Sequence, residues 1–286
     1  MELSINANYL KKTLSSRERT PEECIKLAYD AGFRVVDYTP NILGDEWERE
    51  AHAVRDAADK YGVLIEQSHA QMNRYSRVPH EDFIEIHDRG VEAARIMGNK
   101  HIVFHADEYF MPECGPYDPV AAHKESCEVI EHHVDKCIKY GINIAIENVF
   151  EDGFKCPPGM RSRYCSTTEE LLLAIEHFND PRVGCCWDFG HARVAFGRVG
   201  MTDAIKELGK HIICTHTHDN HGADAHQPPF HGDVRWELEM AAMREFGYKG
   251  NLTFEMVYGT FPDELLPEFL TNLIHTGEHL LGLFNG

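Results

Sequence analysis

An α/β fold, a TIM (β/α)8 barrel in one domain spanning residues 1–286, is predicted by three features of this sequence. Eight short extended runs alternate with helical patterns, most of the runs end in a polar residue, and no linker, low-complexity tract or charge block divides the 286 residues. Undivided chains of this length are common among α/β barrels.

The runs are Leu3 to Asn6, Phe33 to Asp37, Val63 to His69, His101 to His105, Ile142 to Glu147, Val183 to Asp188, His211 to His216 and Asn251 to Glu255. Helical patterns lie between them: Pro21 to Ala31 with proline as its first residue, Asp45 to Tyr61, Glu81 to Met97, Pro119 to Tyr140, Thr168 to Phe178 and Val234 to Phe246. Gly32, Gly62, Gly98, Gly141 and Gly250 precede strands, where a residue without Cβ can take the left-handed conformation that ends a helix. An open doubly wound sheet is the alternative arrangement. It would carry a glycine-rich phosphate loop after its first strand, and Leu3 to Leu14 contains no glycine.

Composition narrows the function. Hydrophobic residues make up 43% and charged residues 26%, as in globular domains. With 28 Lys and Arg against 47 Asp and Glu, the net charge is −19, a field that repels polyanions and disfavours a nucleic-acid partner. No apolar run is long enough to span a membrane, and Met1 to Lys12 has neither a basic start nor an apolar stretch, so a cytoplasmic protein is expected. The nine cysteines include no C-x-x-C pair and read as reduced thiols.

In a barrel the carboxyl ends of the strands converge on one mouth. Here they carry Ser68-His69, His105-Ala106-Asp107, Glu147-Asn148, Asp188-Phe189-Gly190-His191, His216-Thr217-His218-Asp219 and Glu255. Carboxylates gathered there would repel one another unless a cation neutralised them, and a divalent metal is the simplest remedy. His52, His87, His132, His133 and His177 lie on helices and read as ordinary surface or core residues. A strand-end imidazole such as His69, His105 or His191 can also merely cap a loop, and Asp224-Ala225-His226 can be plain connection.

In combination and in order, these strand ends resemble the xylose isomerase-like TIM barrels. The resemblance covers nearly the whole chain. It rests on Ser68-His69-Ala70, Ile146-Glu147-Asn148, Trp187 to Ala192, His216 to Asn220, Asp224-Ala225-His226 with Gly232 to Trp236, and Phe254-Glu255. It implies one divalent cation held by Glu147, Asp188, His216 and Glu255, with Mn²⁺ expected first and Mg²⁺, Co²⁺ or Zn²⁺ as alternatives. Glu147 and Glu255 would be the catalytic pair, exchanging a proton beside a carbonyl through an enediolate. His69, His105, His191 and His226 would bind substrate. The implied activity is that of an isomerase or epimerase of carbohydrate metabolism acting on a sugar or sugar-like hydroxy-ketone.

Two departures keep alternatives open. Ketose 3-epimerases of this family carry an arginine six residues after the strand-seven histidine, where this chain has Gly222, and their G-x-G reads Phe230-His231-Gly232. A metal-dependent lyase that cleaves an oxidised glycoside with a small partner subunit uses related chemistry. An endonuclease IV-like phosphodiesterase would recruit His69, His105, His191, Asp224 and His226 for further metals, against the charge balance. A non-catalytic sugar-binding module would be expected to have lost a glutamate. Loops from Tyr109 to Asp118 and Glu151 to Cys165 are long enough to act as lids, with Arg161 and Arg163 either meeting an anion or standing as a solvated pair. A small carbohydrate partner is expected, with no membrane contact, in a homo-oligomer or beside a partner subunit.

Overall fold

The strands are β1 (Leu3–Asn6), β2 (Val35–Asp37), β3 (Leu64–His69), β4 (His101–Phe104), β5 (Asn143–Glu147), β6 (Val183–Asp188), β7 (Ile212–His216) and β8 (Leu252–Phe254). They pair in parallel in the order β7-β6-β5-β4-β3-β2-β1-β8. The ring is closed by a parallel bridge from Thr217 to Phe254, with the Thr217 N–H donating to Thr253 O at 2.7 Å. This computed structural model describes all residues except 15–16, 73–79, 109–116 and 152–162.

The helices are α1 (Pro21–Ala31), α2 (Trp47–Tyr61), α3 (His80–Met97), α4 (Pro119–Tyr140), α5 (Thr168–Phe178), α6 (Phe189–Ala195), α7 (Gly197–Leu208), α8 (Trp236–Glu245) and α9 (Leu266–Asn285). Their starts follow local chemistry. Thr20 and Glu23 form a reciprocal capping box ahead of Pro21, Asp118 accepts from Val120 N and Ala121 N, and Thr167 accepts from Glu170 N. Gly32, Gly62, Gly98 and Gly141 take positive φ, as expected. Gly250 does not. What requires glycine there is space, since a Cβ would sit 2.3 Å from the Tyr248 hydroxyl oxygen and 2.7 Å from Ile213 O. The sequence patterns also overlooked α6, α7 and α9.

Alternation along the strands separates two layers. One parity packs outward on the helices in the main core. The other turns inward, and Val103, Ala145, Cys186 and Cys214 form their own buried cluster inside the barrel. Two residues further along these strands, on the same side, come His105, Glu147, Asp188 and His216. The small interior layer is thus the floor on which the polar strand ends stand.

The loop after β7 is organised by one carboxylate. Asp219, fully buried, accepts from Asn220 N, Phe230 N, Val234 N and Trp236 Nε1 at 2.8 to 3.1 Å. Gly232 is required because a Cβ would lie 2.1 Å from Asp219 Oδ1, which accounts for the glycine kept in the altered Phe230-His231-Gly232. Asp219→Ala orphans four donors, and a loss of at least about 3 kcal/mol is expected in denaturant unfolding. A variant as stable as the parent would show that water replaces the carboxylate.

Among the described residues no helix is long and apolar enough to cross a membrane. The described cysteines are buried and free.

Candidate active site

At the carboxyl ends of the strands lies a cavity of about 300 Å³, whose lining includes Tyr9, His69, His105, Glu147, His191, Asp224, His226 and Glu255. A larger depression of about 730 Å³ sits at the other end of β6 and β7, around Val183 and Ile213, and gathers no comparable set of ionisable groups. Asp188 and His216 adjoin this lining, whereas the Asp219 carboxylate turns into the loop after β7 and Asp107 pairs with Arg163.

Glu147 is the hub. Its Oε2 lies 3.0 Å from His105 Nε2 and 3.4 Å from His69 Nε2, and its Oε1 lies 3.1 Å from His191 Nδ1 and 3.2 Å from His216 Nδ1. Neither oxygen receives a well-directed hydrogen bond although both are buried. His216 Nδ1 faces all three carboxylates: besides Glu147, it is 3.6 Å from Glu255 Oε2 and 3.8 Å from Asp188 Oδ2. Asp188 has a double task. Oδ1 caps α6 by accepting from His191 N at 2.6 Å, and Oδ2 meets His218 Nε2 at 3.0 Å.

The electrostatics betray a surplus of negative charge. Burial opposes ionisation of Glu147, yet the His216 and His105 imidazoles outweigh it and hold the carboxyl well below its ordinary range. Glu255 is lowered likewise: burial is overcome by His216, His226 and His69. Burial should lower His216, but Glu255 and Glu147 push it well above its usual value. By the same contest His191 rises to about 10, through Asp188 and Glu147, and His226 to about 9, through Asp224 and Glu255. Protons on imidazole are here doing what a cation does in a carboxylate cluster.

The donor set fits such a cation. Ligands around a small divalent ion stand roughly 3 to 3.5 Å apart, given bonds of about 2.0 to 2.2 Å, and the Glu147, Asp188 and Glu255 oxygens lie 3.2 to 3.8 Å from His216 Nδ1. Three carboxylates and one imidazole suit Mn²⁺ or Mg²⁺. The structure also brings overlapping triads together, among them Asp37, His69 and His216, and Asp188, His191 and His218.

The sequence assigned no role to three groups. Asp37, fully buried at the end of β2, lies 3.7 Å from His216 Nε2 and 3.9 Å from His69 Nδ1, on the ring edges facing away from Glu147. Its signal was present, since it closes a strand like the others. Tyr9 donates its hydroxyl to Glu255 Oε1 at 3.3 Å, and Glu255, followed by burial, raises the phenol pKa well above normal. His218 stacks on His226 at 4.1 Å between ring centres. Gly190 is required by this packing, because a Cβ would come within 1.9 Å of His218. Gly190→Ala should cost about 1–3 kcal/mol and lower the melting temperature by several degrees. An unchanged melting curve would mean that His218 has another position to occupy.

Arg163 corrects the solvated-pair reading. It is 6% exposed, donates from Nε to Asp107 Oδ2 at 2.6 Å and from Nη1 to Phe150 O at 3.0 Å, and borders the cavity. Arg161 lies outside the described residues, as do most of both expected lid loops. Gly222 holds φ +98, with the Arg193 guanidinium 3.6 Å from where a Cβ would be. Arg193 itself pairs with Asp233.

Residues 25–272 match the family model of the xylose isomerase-like TIM barrels. The chain belongs to that family. The chain is 26% identical over 289 aligned positions to the uncharacterized protein y4fM of Sinorhizobium fredii, covering 84% of this chain and 83% of that one. It is 29% identical to the uncharacterized protein MJ1311 of Methanocaldococcus jannaschii, over 41% of this chain and only 37% of the other. Among solved structures, D-psicose 3-epimerase from Clostridium cellulolyticum H10 superposes with a TM-score of 0.76 at 12% identity, covering 98% of this chain and 99% of that one. The 3-keto-D-glucoside 4-epimerase YcjR of E. coli gives 0.74 at 14%, covering 98% and 99%. At such identities these structures share the fold. This family member is thus a barrel whose structural neighbours include sugar epimerases and, with a TM-score of 0.68 at 14% identity, an AP endonuclease of family 2 from Brucella melitensis covering 92% of this chain and 95% of that one.

Proposed function

We propose that the protein is a divalent-metal-dependent isomerase or epimerase that moves a proton beside the carbonyl of a sugar or sugar-like hydroxy-ketone. The observation that carries the reading is the convergence of Glu147, Asp188 and Glu255 on His216 Nδ1 at 3.2 to 3.8 Å, with Glu147 and Glu255 on the wall of a cavity of about 300 Å³. These four residues would hold the cation. Bound there, a divalent ion supplies Lewis-acid polarisation of a substrate carbonyl and makes the adjacent C–H more acidic.

The chain's own groups do the rest. Glu147 and Glu255 are ionised and border the same space, so each can accept a proton from carbon and return one. Tyr9, hydrogen-bonded to Glu255, fixes that carboxylate and holds a phenolic proton beside it. His191, hydrogen-bonded through Nδ1 to Asn148 O at 3.0 Å, is oriented with its other nitrogen towards Asp224 and can bind a substrate hydroxyl there. His69 and His105 line the wall, His226 lies near Asp224 across the cavity, and Asp37 steadies His69 and His216 from behind. With Gly222 in place of an arginine, the sugar hydroxyl held by that arginine in ketose 3-epimerases must be held otherwise or be absent. This favours a modified or oxidised sugar over a simple ketose.

The test is deuterium uptake. After incubation in D₂O with a panel of ketoses, ketose phosphates, inososes and 3-keto-glycosides, mass spectrometry should find deuterium on carbon in at least one. Phosphodiester hydrolysis leaves no such label, so cutting of an abasic-site duplex without carbohydrate labelling would overturn the reading. The net charge of −19 argues against that result.

A further inference from the structure

On the helical side of the barrel, α4 and α5 pack side by side. His123, Cys127 and Glu131 are spaced four residues apart on α4 and so form one stripe along its surface. His177, near the end of α5, reaches into that stripe. Its Nε2 lies 2.7 Å from Glu131 Oε1, and its ring meets that of His123 edge-on at 5.1 Å between centres. Cys127 Sγ lies 3.7 Å from His123 Nδ1, and one donor atom from each of His123, Cys127 and His177 falls within 4.8 Å of the others.

We propose that His123, Cys127 and His177, with Glu131 as a fourth donor, form a second cation site, selective for a thiophilic divalent ion such as Zn²⁺. The donor chemistry is the opposite of that at the barrel mouth: one thiolate and two imidazoles against three carboxylates. The spacing fits as well. With Zn–S at about 2.3 Å and Zn–N at about 2.1 Å, tetrahedral ligands stand roughly 3.4 to 3.6 Å apart, close to the Sγ to Nδ1 separation already present. His177 keeps 32% of its side chain exposed and can turn the remaining distance, whereas Cys127 is buried and fixed. The Tyr164 hydroxyl lies 2.6 Å from His123 Nδ1 and must release that nitrogen when the metal takes its lone pair. On binding, the Cys127 thiol proton leaves to solvent and the sulfur pair forms the bond to the metal.

The site would tie α4 to α5. It is tested with Co²⁺ on reduced, chelator-treated full-length protein. Titration should produce the near-ultraviolet absorption of thiolate-to-cobalt charge transfer, with two Co²⁺ bound per chain by equilibrium dialysis. Cys127→Ser should abolish the absorption and remove one of the two equivalents while leaving the circular dichroism spectrum unchanged. His177→Ala, at a position with 32% of its side chain exposed, should weaken the absorption at fixed Co²⁺. Glu147→Gln should keep it in full, because that variant touches only the mouth. Three results would overturn the proposal: no charge-transfer absorption at saturating Co²⁺, an absorption that survives Cys127→Ser or is unaltered in His177→Ala, or one lost in Glu147→Gln, which would assign the thiolate to Cys186 beside His216.

Discussion

Glu147→Gln and Glu255→Gln should each lower turnover by about 10³-fold or more, with far-UV circular dichroism unchanged and melting temperatures within a few degrees of the parent. The two expectations come from the same geometry. Each glutamate stands at a strand end, Glu147 above the small apolar cluster inside the barrel and Glu255 above the buried Thr253, so the packed layer below loses nothing when its charge is removed. Each buried carboxylate also bears a desolvation cost, offset by imidazoles that are charged only because it is there. An isosteric amide removes the cost and the attraction together. For chemistry there is no such cancellation, because an amide cannot take a proton from carbon and is a weaker ligand. Elemental analysis of the variants separates those two losses. Retained metal with lost turnover marks the base, and lost metal marks the ligand. Turnover within a factor of two of the parent in either variant would remove that glutamate from the reaction.

The barrel and most of its mouth were legible because parallel strands buried on both faces read as apolar runs, and a polar residue ending such a run has few places to go but the open end. Glu147 after Ile142-Asn143-Ile144-Ala145-Ile146 is the clearest instance. Asp37 gave the same kind of signal more faintly, since β2 has only three residues and is followed at once by a core residue, Tyr38, so that the run does not visibly end at the aspartate. Tyr9 gave none. It enters from a turn after β1, and its tie to Glu255 spans 246 positions. Arg163 was misread for a related reason: its partner Asp107 is 56 residues away, so no local pattern marks the arginine as buried. The short helix α6 was hidden by Gly190, which reads locally as a helix breaker and is there for the close passage of His218. Local pattern fixes which residues end strands. Pairings across the mouth depend on closure of the ring.

Removal of divalent metal should abolish activity, and Mn²⁺, Co²⁺ or Mg²⁺ should restore it. The reason lies in the charge inventory of the mouth. Glu147, Asp188 and Glu255 are buried together, all three carboxyls are held below their ordinary range, and without a cation only protonated imidazoles balance them. In that state His216 carries a proton on a ring whose Nδ1 should be a ligand, and His191 one on a ring that should accept or donate according to the substrate. Binding a divalent ion must therefore expel protons, so uptake should be accompanied by measurable acidification in weak buffer and should tighten as pH rises. Proton release by calorimetry in buffers of different ionisation enthalpy gives a readout independent of turnover. The order of rescue discriminates further. An oxygen-rich set should work with Mn²⁺ or Mg²⁺, whereas Zn²⁺, which binds more tightly by general affinity order, should occupy the mouth without being needed there. Full turnover in protein verified metal-free by elemental analysis would contradict the proposed reaction, and metal uptake without proton release would show that the imidazoles at the mouth are already neutral.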